Sequence, residues 1–279
     1  VSLKRLDEAL LSYQKAYSLK PDIDFLIGNL MHTKMRLCDW SGFLENLNKL
    51  KIKINKRESS LSLFSLLALI DDSEIQMKAS KTHVNKYYPK NIDLPIIEKH
   101  PKRKKIRIGY FSADFRAHPV AELIVELFEI HDRSRFEIYA FSFGRDTNDE
   151  MNLRIKRGVD HFHDLHIMPH KDAAIFARSL EMDIAVNLGG HTLDAPTEVF
   201  AISVAPTQVS YLGFTGTMGA SYIDYLIADH TVIPKGNQIH YAENIVYLPD
   251  SYMVNDSKIK ASKKTYSRED VGLPAKGFV

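Results

Sequence analysis

The stretch IRIGYFS at 106–112, followed by the loop ADFRAH at 113–118 and a helical pattern from Pro119 to Ile130, decides the fold. The run is short, rich in β-branched and aromatic residues, and bounded by a basic segment and a polar loop, so it reads as a strand. The same grammar repeats downstream in FEIYAFSF (136–143), DIAVNL (183–188), TQVSYL (207–212), YLIA (225–228) and NIVYL (244–248). Helical patterns at 148–157 and 172–181 lie between several of these runs. Strand–helix alternation with near-continuous apolar strands predicts a parallel, doubly wound α/β sheet. Ligands of such sheets bind in the crevice beyond the carboxyl ends of the strands, so the loops after each strand are where chemistry is sought.

Upstream the pattern is helical. Residues 3–20 place Leu6, Ala9, Leu10, Tyr13, Ala16 and Tyr17 on one face and end at Pro21. Small residues at that spacing followed by Pro fit the second helix of a tetratricopeptide repeat, and equally any amphipathic helix. Helical periodicity continues through 24–54 and 59–88, including Trp40 and an apolar stretch from Leu61 to Ile70. The basic run KHPKRKK at 99–105 reads as a solvated linker and marks the domain boundary; a nuclear-import signal and a phosphate patch rank below that.

Composition bounds the rest. Hydrophobic residues make up 44% and charged residues 26% of 279, which excludes a disordered chain. The 37 basic and 35 acidic side chains leave a net charge of +2, far from a nucleic-acid-binding balance. No apolar run approaches the roughly 20 residues of a membrane span. The single cysteine, Cys38, allows no internal disulfide and no cysteine-rich zinc site, so a cytoplasmic setting is expected. The chain opens at Val1 in a helical pattern and stops at Val279 where a strand is expected to begin, which reads as a piece of a longer protein.

Three loops carry candidate chemistry. After the first strand, Pro119 suits a first helical position and so puts His118 at the N-cap. The positive end of the helix dipole disfavours an imidazolium there, leaving a neutral ring able to accept a proton, with Asp114 four residues earlier to orient it. A simple helix cap explains the same residues equally well. In the loop GFTGTMG at 213–219, three glycines and two hydroxyls permit close approach of a sugar or phosphate, or merely a tight turn. It has neither P-loop nor dinucleotide spacing. The loop Gly189-Gly190-His191-Thr192 is a further polar crevice loop, with His191 a candidate substrate contact. Histidines 161, 163, 166 and 170 lack the companion motifs of a zinc site, so no metal is expected. There is no nucleophile elbow for acyl transfer.

The motif S-x-D-F-x-x-H-P at 112–119, Ala205-Pro206-Thr207-Gln208, LGFTGTMGASYIDYLIAD at 212–229, YLPDSYMVND at 247–256 and Leu37-Cys38-Asp39-Trp40 together resemble the O-linked N-acetylglucosamine transferase and SPINDLY family. The resemblance implies an inverting, metal-independent glycosyltransferase of GT-B architecture with two Rossmann-like lobes and no cofactor. Such enzymes move a sugar from a nucleotide-sugar donor, here expected to be UDP-GlcNAc, to Ser or Thr hydroxyls of an acceptor protein. Neither nucleic acid nor membrane is an expected partner. The implied division is 1–22 as the end of a tetratricopeptide repeat, 23–101 as a helical connector, 102–260 as the first lobe, and 261–279 as the start of the inter-lobe linker. It also implies that His118 and Asp114 are the catalytic pair, and that Leu212, Gly213 and Thr215 line the sugar site; His191 stays a candidate substrate contact on the reading of its own loop. Departures from the family pattern are Thr215 for a proline, Pro196 and Ser203 for arginines, and His191 for an aromatic residue. The second lobe would begin near Gly277, so these 279 residues alone are expected not to transfer sugar. A non-catalytic protein-binding scaffold is the alternative. A sugar-nucleotide epimerase ranks third because of the repeat-like opening.

Overall fold

The computed structural model describes residues 5–91 and 93–278. Leu3 and Lys4, at the start of the first expected helix, and Val1 and Val279 lie outside them.

Five helices come first: α1 (Leu6–Leu19), α2 (Leu26–Arg36), α3 (Phe43–Asn55), α4 (Leu63–Leu69) and α5 (Ser73–Tyr87). α1 buries no residue completely and rests on α2 alongside Tyr17. α4 and α5 start where their sequences supply caps: the Ser62 hydroxyl accepts the Ser65 N–H, and the Asp72 carboxylate accepts the Ile75 N–H at 3.1 Å.

The α/β part follows as β1 (Ile106–Ser112), α6 (Pro119–Ile130), β2 (Phe136–Ser142), α7 (Glu150–Gly158), β3 (His161–Asp164), α8 (His170–Ser179), β4 (Ile184–Asn187), α9 (Thr197–Ala201), β5 (Thr207–Ser210), β6 (Tyr225–Ala228) and β7 (Asn244–Tyr247). All pairings are parallel, in the order β3-β2-β1-β4-β5-β6-β7. The order reverses between β1 and β4, which makes the carboxyl ends of those strands the topological switch point. The sheet is the doubly wound one expected. β1 and α6 match their expected ranges to the residue.

Elsewhere local backbone moves the boundaries. Asn148 has φ +49° and Glu181 φ +51°, left-handed values that exclude both from the helices expected to hold them. α7 therefore begins at Glu150, capped by Asp149, and α8 ends at Ser179. β5 ends at Ser210, because Leu212 has φ +74° and turns the chain out of the ladder. β3 and the five-residue α9 are additions to the expected elements.

The sheet is covered on both faces. On one side Phe111, Phe141 and Ala185 join Met31, Leu50 and Leu66 of the helical part in one continuous core cluster, so connector and sheet are packed as one body. On the other, Tyr110, Ile138 and Val209 pack under α6 and α7 with Phe128 and Ile155. Residues after β7 return across this second face: the Tyr211 hydroxyl donates to the Tyr252 carbonyl at 2.8 Å, and Arg154 of α7 pairs with the buried Asp256 at 2.5 Å. Glu129 joins that cluster at 2.8 Å from Arg154, with Lys258 also paired to it. Beyond this strap, a short 3-10 helix at Glu269–Val271 is exposed. The 99–105 run has no regular structure, but its Arg103 is tied to Glu181.

Candidate active site

The loop after β1 is fixed from three sides. The Ser112 hydroxyl accepts the Asp114 N–H at 2.9 Å. Asp149 accepts the Ala117 N–H at 3.0 Å, and the buried Asn152 amide donates to the Phe115 carbonyl at 2.7 Å. The amino end of α7 therefore holds the loop that carries Asp114 and His118. Sequence reasoning misses Asp149 and Asn152 in this role. Asp149 at a helix start is a legible cap signal, but its reach across to Ala117 is not.

His118 is the N-cap of α6, as its place before Pro119 predicts, and its ring is 34% exposed. Nδ1 accepts the Val120 N–H at 3.3 Å, and Nε2 lies 3.7 Å from Oδ1 of Asp114. Asp114 itself is buried, and Arg116 donates to the same Oδ1 at 3.1 Å. Because Nδ1 is an acceptor here, the neutral ring carries its proton on Nε2 and offers a donor on the Asp114 side. Arg116 carries no distinguishing mark in the sequence; its spacing of two from Asp114 resembles any surface charge pair.

The loop after β5 meets that after β1 through Val120. Gly213 lies so close to the loop after β4 that a Cβ would stand 2.2 Å from the Leu188 carbonyl oxygen and 3.4 Å from the Val120 side chain. Leu212 is buried behind it and Thr215 is half-buried. The structure thus brings Asp114, His118, Leu212 and Gly213 together at the carboxyl ends of β1, β4 and β5. The far end of the glycine loop points elsewhere. Gly219, at φ +65°, packs against the backbone of α5, where a Cβ would lie 2.7 Å from the Lys81 nitrogen. The Thr217 hydroxyl is buried and donates to Glu243 at 2.7 Å.

His191 is half-buried and turned inward. Its Nε2–H donates to the Met218 carbonyl at 2.8 Å, and its ring meets Phe214 and His83 edge-on at 5.3 and 5.4 Å. Burial pushes its pKa down to about 3, with His83 acting in the same direction and the Met218 carbonyl opposing. His83 is itself lowered to about 4 by burial. The two rings bridge the sheet loops to α5, and only Nδ1 of His191 is left for a ligand.

The remaining histidines are dispersed. His161 pairs with Glu137 at 3.0 Å, His166 with Asp164 at 2.9 Å and His170 with Glu198 at 2.8 Å. Among the described residues, no group of three His, Cys, Asp or Glu side chains is arranged to hold a metal ion. No helix among them is long and apolar enough to cross a membrane. Of the departures from the family pattern, Pro196 precedes α9, and Ser203 at φ +65° presents its carbonyl to Arg178 at 3.1 Å.

Comparison with known proteins agrees with this architecture. Residues 78–266 match the family described as Glycosyl transferase family 41. The probable UDP-N-acetylglucosamine--peptide N-acetylglucosaminyltransferase SEC of Arabidopsis thaliana is 39% identical over 181 residues, 63% of this chain and 18% of that protein. The UDP-N-acetylglucosamine--peptide N-acetylglucosaminyltransferase of Caenorhabditis elegans is 35% identical over 158 residues, 55% of this chain and 13% of that protein. Each match thus spans less than a fifth of the relative's length. A solved structure of the Thermobaculum terrenum O-GlcNAc transferase mutant K341M superposes with a TM-score of 0.71 at 22% identity, covering 90% of this chain and 49% of that one. With a parallel seven-stranded sheet, a helical segment ahead of it and a family match over more than half its length, the chain belongs to glycosyl transferase family 41.

Proposed function

We propose that this chain provides the first lobe of a protein O-glycosyltransferase of the inverting type. It takes a sugar from a nucleotide-sugar donor, UDP-GlcNAc, and places it on Ser or Thr hydroxyls of an acceptor protein. The observation that carries this reading is the convergence of Asp114, His118 and Gly213 from separate loops at the sheet's switch point. The names of the relatives support the donor and the acceptor class.

In the reaction the acceptor hydroxyl oxygen bonds to the anomeric carbon while the bond from that carbon to the phosphate oxygen breaks. The nucleotide leaves with the electron pair, and the hydroxyl proton passes to the His118–Asp114 pair. With its proton on Nε2, His118 faces Asp114 and cannot take the hydroxyl proton at that nitrogen; Nε2 becomes the acceptor when the ring proton sits on Nδ1 instead, which requires releasing the Val120 N–H. Leu212, Gly213 and Thr215 form the wall against which the sugar sits, and Nδ1 of His191 is the remaining contact. No cofactor enters the scheme. The division at residues 22, 101 and 260 into repeat end, connector, lobe and linker belongs to this reading, as does a cytoplasmic location. So does the inability of these 279 residues to complete transfer alone, since the donor nucleotide is assigned to the second lobe.

The test is peptide glycosylation from UDP-GlcNAc by the natural gene product, beside its His118→Ala variant. Loss of turnover with intact binding of the acceptor protein supports the enzyme. Unchanged turnover removes His118 from the chemistry. A wild-type protein that binds partners and transfers no sugar gives the scaffold reading instead.

A further inference from the structure

Glu243, just ahead of β7, is 5% exposed, and among the described residues it forms no ion pair. Its Oε2 accepts the Thr217 hydroxyl at 2.7 Å and its Oε1 accepts the Met218 N–H at 2.5 Å. Thr217 Oγ1 in turn accepts two backbone donors, Gly219 N–H and Ala242 N–H, each at 3.1 Å. With both lone pairs engaged, that hydroxyl has its own hydrogen left to give, and Glu243 receives it.

Both carboxyl oxygens must therefore accept. A carboxyl group keeps an acceptor on each oxygen and satisfies both partners, whereas an amide would set its NH2 against one of the two donors. Holding such a group inside the protein without a cation is unfavourable, and burial pushes the Glu243 carboxyl up. Where packing alone is required, an apolar side chain fills the space more stably. The unfavourable burial is localised on one peptide unit, Thr217–Met218, and the Met218 carbonyl beside it receives the His191 N–H at 2.8 Å. That unit lies two residues past Thr215 and joins the loop after β5 to the loop after β4.

We infer that Glu243 is a positioning residue that fixes the Leu212–Thr215 wall and His191 for the donor sugar through its grip on the Thr217–Met218 peptide. Glu243 does not itself touch the substrate in this arrangement. The inference rests on the proposed sugar site, and its test has one arm that does not.

Amide hydrogen exchange at 212–219 and 189–192 in Glu243→Gln reads the grip directly, without any activity. Faster exchange confined to those two loops is expected; exchange equal to wild type overturns the inference, whatever the protein turns out to catalyse. The second arm is steady-state kinetics of the natural gene product. Glu243→Gln is expected to raise the KM for UDP-GlcNAc about tenfold with little change in kcat, since the lost interaction serves binding. Thr217→Val, nearly isosteric, should reproduce the effect if the Gln variant folds poorly, and Thr217→Ser should restore wild-type behaviour. Glu129→Gln, which weakens the remote pairing with Arg154 near the carboxyl end of α6, controls for general destabilisation. If it raises KM equally, Glu243 has a structural role only. If wild type transfers no sugar but the exchange result holds, the proposed function fails while the positioning stands.

Discussion

Nδ1 of His118 accepts the N–H of Val120 at 3.3 Å, so one side chain both caps α6 and faces Asp114. Cap and chemistry are therefore separable by substitution. Asn is among the strongest N-cap residues, because its side-chain oxygen accepts the same backbone donor, whereas Ala leaves that donor unpaired. His118→Ala should lose about 1 kcal/mol of stability and His118→Asn much less. Both should lose about 100-fold or more in turnover if the imidazole acts on the reacting proton. Urea melts and glycosylation rates on the same two proteins check this; full activity in the Asn variant would leave His118 as a cap alone.

Gly219 holds φ +65° with its α-carbon against the backbone of α5. Gly219→Ala should destabilise by more than about 1 kcal/mol, because the conformation and the space both reject a Cβ. The loss should appear as separation of the helical part from the sheet. Proteolysis between 88 and 106 with a lowered denaturant midpoint would report it.

His83 and His191 face each other with pKa values lowered to about 4 and about 3. A histidine whose folded pKa lies below its unfolded value of about 6.5 binds fewer protons folded than unfolded. Its contribution is complete above that unfolded value and is lost as pH falls toward 4 and then 3. Stability should begin to decline below about pH 6.5, earlier than carboxylates alone would cause. Nitrogen NMR of both rings should show neutral imidazoles at pH 5, with His191 protonated on Nε2; a His191 that titrates near pH 6 would contradict its inward placement.

Arg154 joins Glu129 and Asp256, and with Lys258 it holds Glu129 at a pKa of about 2 and Asp256 below the usual carboxylate range. The sign is that of depressed carboxylates. Their contribution is present above about pH 4.3 and is lost as pH falls toward 2. Arg154→Ala leaves the buried Asp256 without its guanidinium and should lose about 3 kcal/mol at pH 7. Denaturant midpoints measured from pH 7 to pH 2.5 should show a shallower acid slope in the variant than in wild type.

The core strands and α6 are legible in the sequence because their signals are local: an apolar run, a proline at N1, a polar loop between. β3 is not, since HFHD is short and polar and becomes a strand only by pairing with β2 at the sheet's edge. α9 is five residues long and is set by Pro196 and by packing of Phe200 into the core. At the site, Asp114 and His118 are marked by their place between strand and helix. The glycines of 213–219 read as one ligand-facing turn, but Gly216 and Gly219 face Leu67 and α5, a helical part distant in sequence. Glu243 has no local mark at all: its partners stand 25 and 26 residues away.

The strap that returns over α6 and α7 has a consequence for how this protein is made. Arg154 must wait 102 residues for Asp256, and Glu126 must wait 131 for Ser257. Contacts so far apart in sequence form late and slow the search for the native state. The helical part can form while the ribosome is still translating the sheet, but the part of the second face that α6 and α7 leave to the strap stays open until residue 258 has left the exit tunnel. At about 5–20 residues per second, that leaves several seconds in which Tyr211 and the surrounding apolar surface stand uncovered. Nascent chains of this lobe should be bound by chaperones at that face, and a stop codon placed just before the strap should yield protein that is made but not recovered in soluble form.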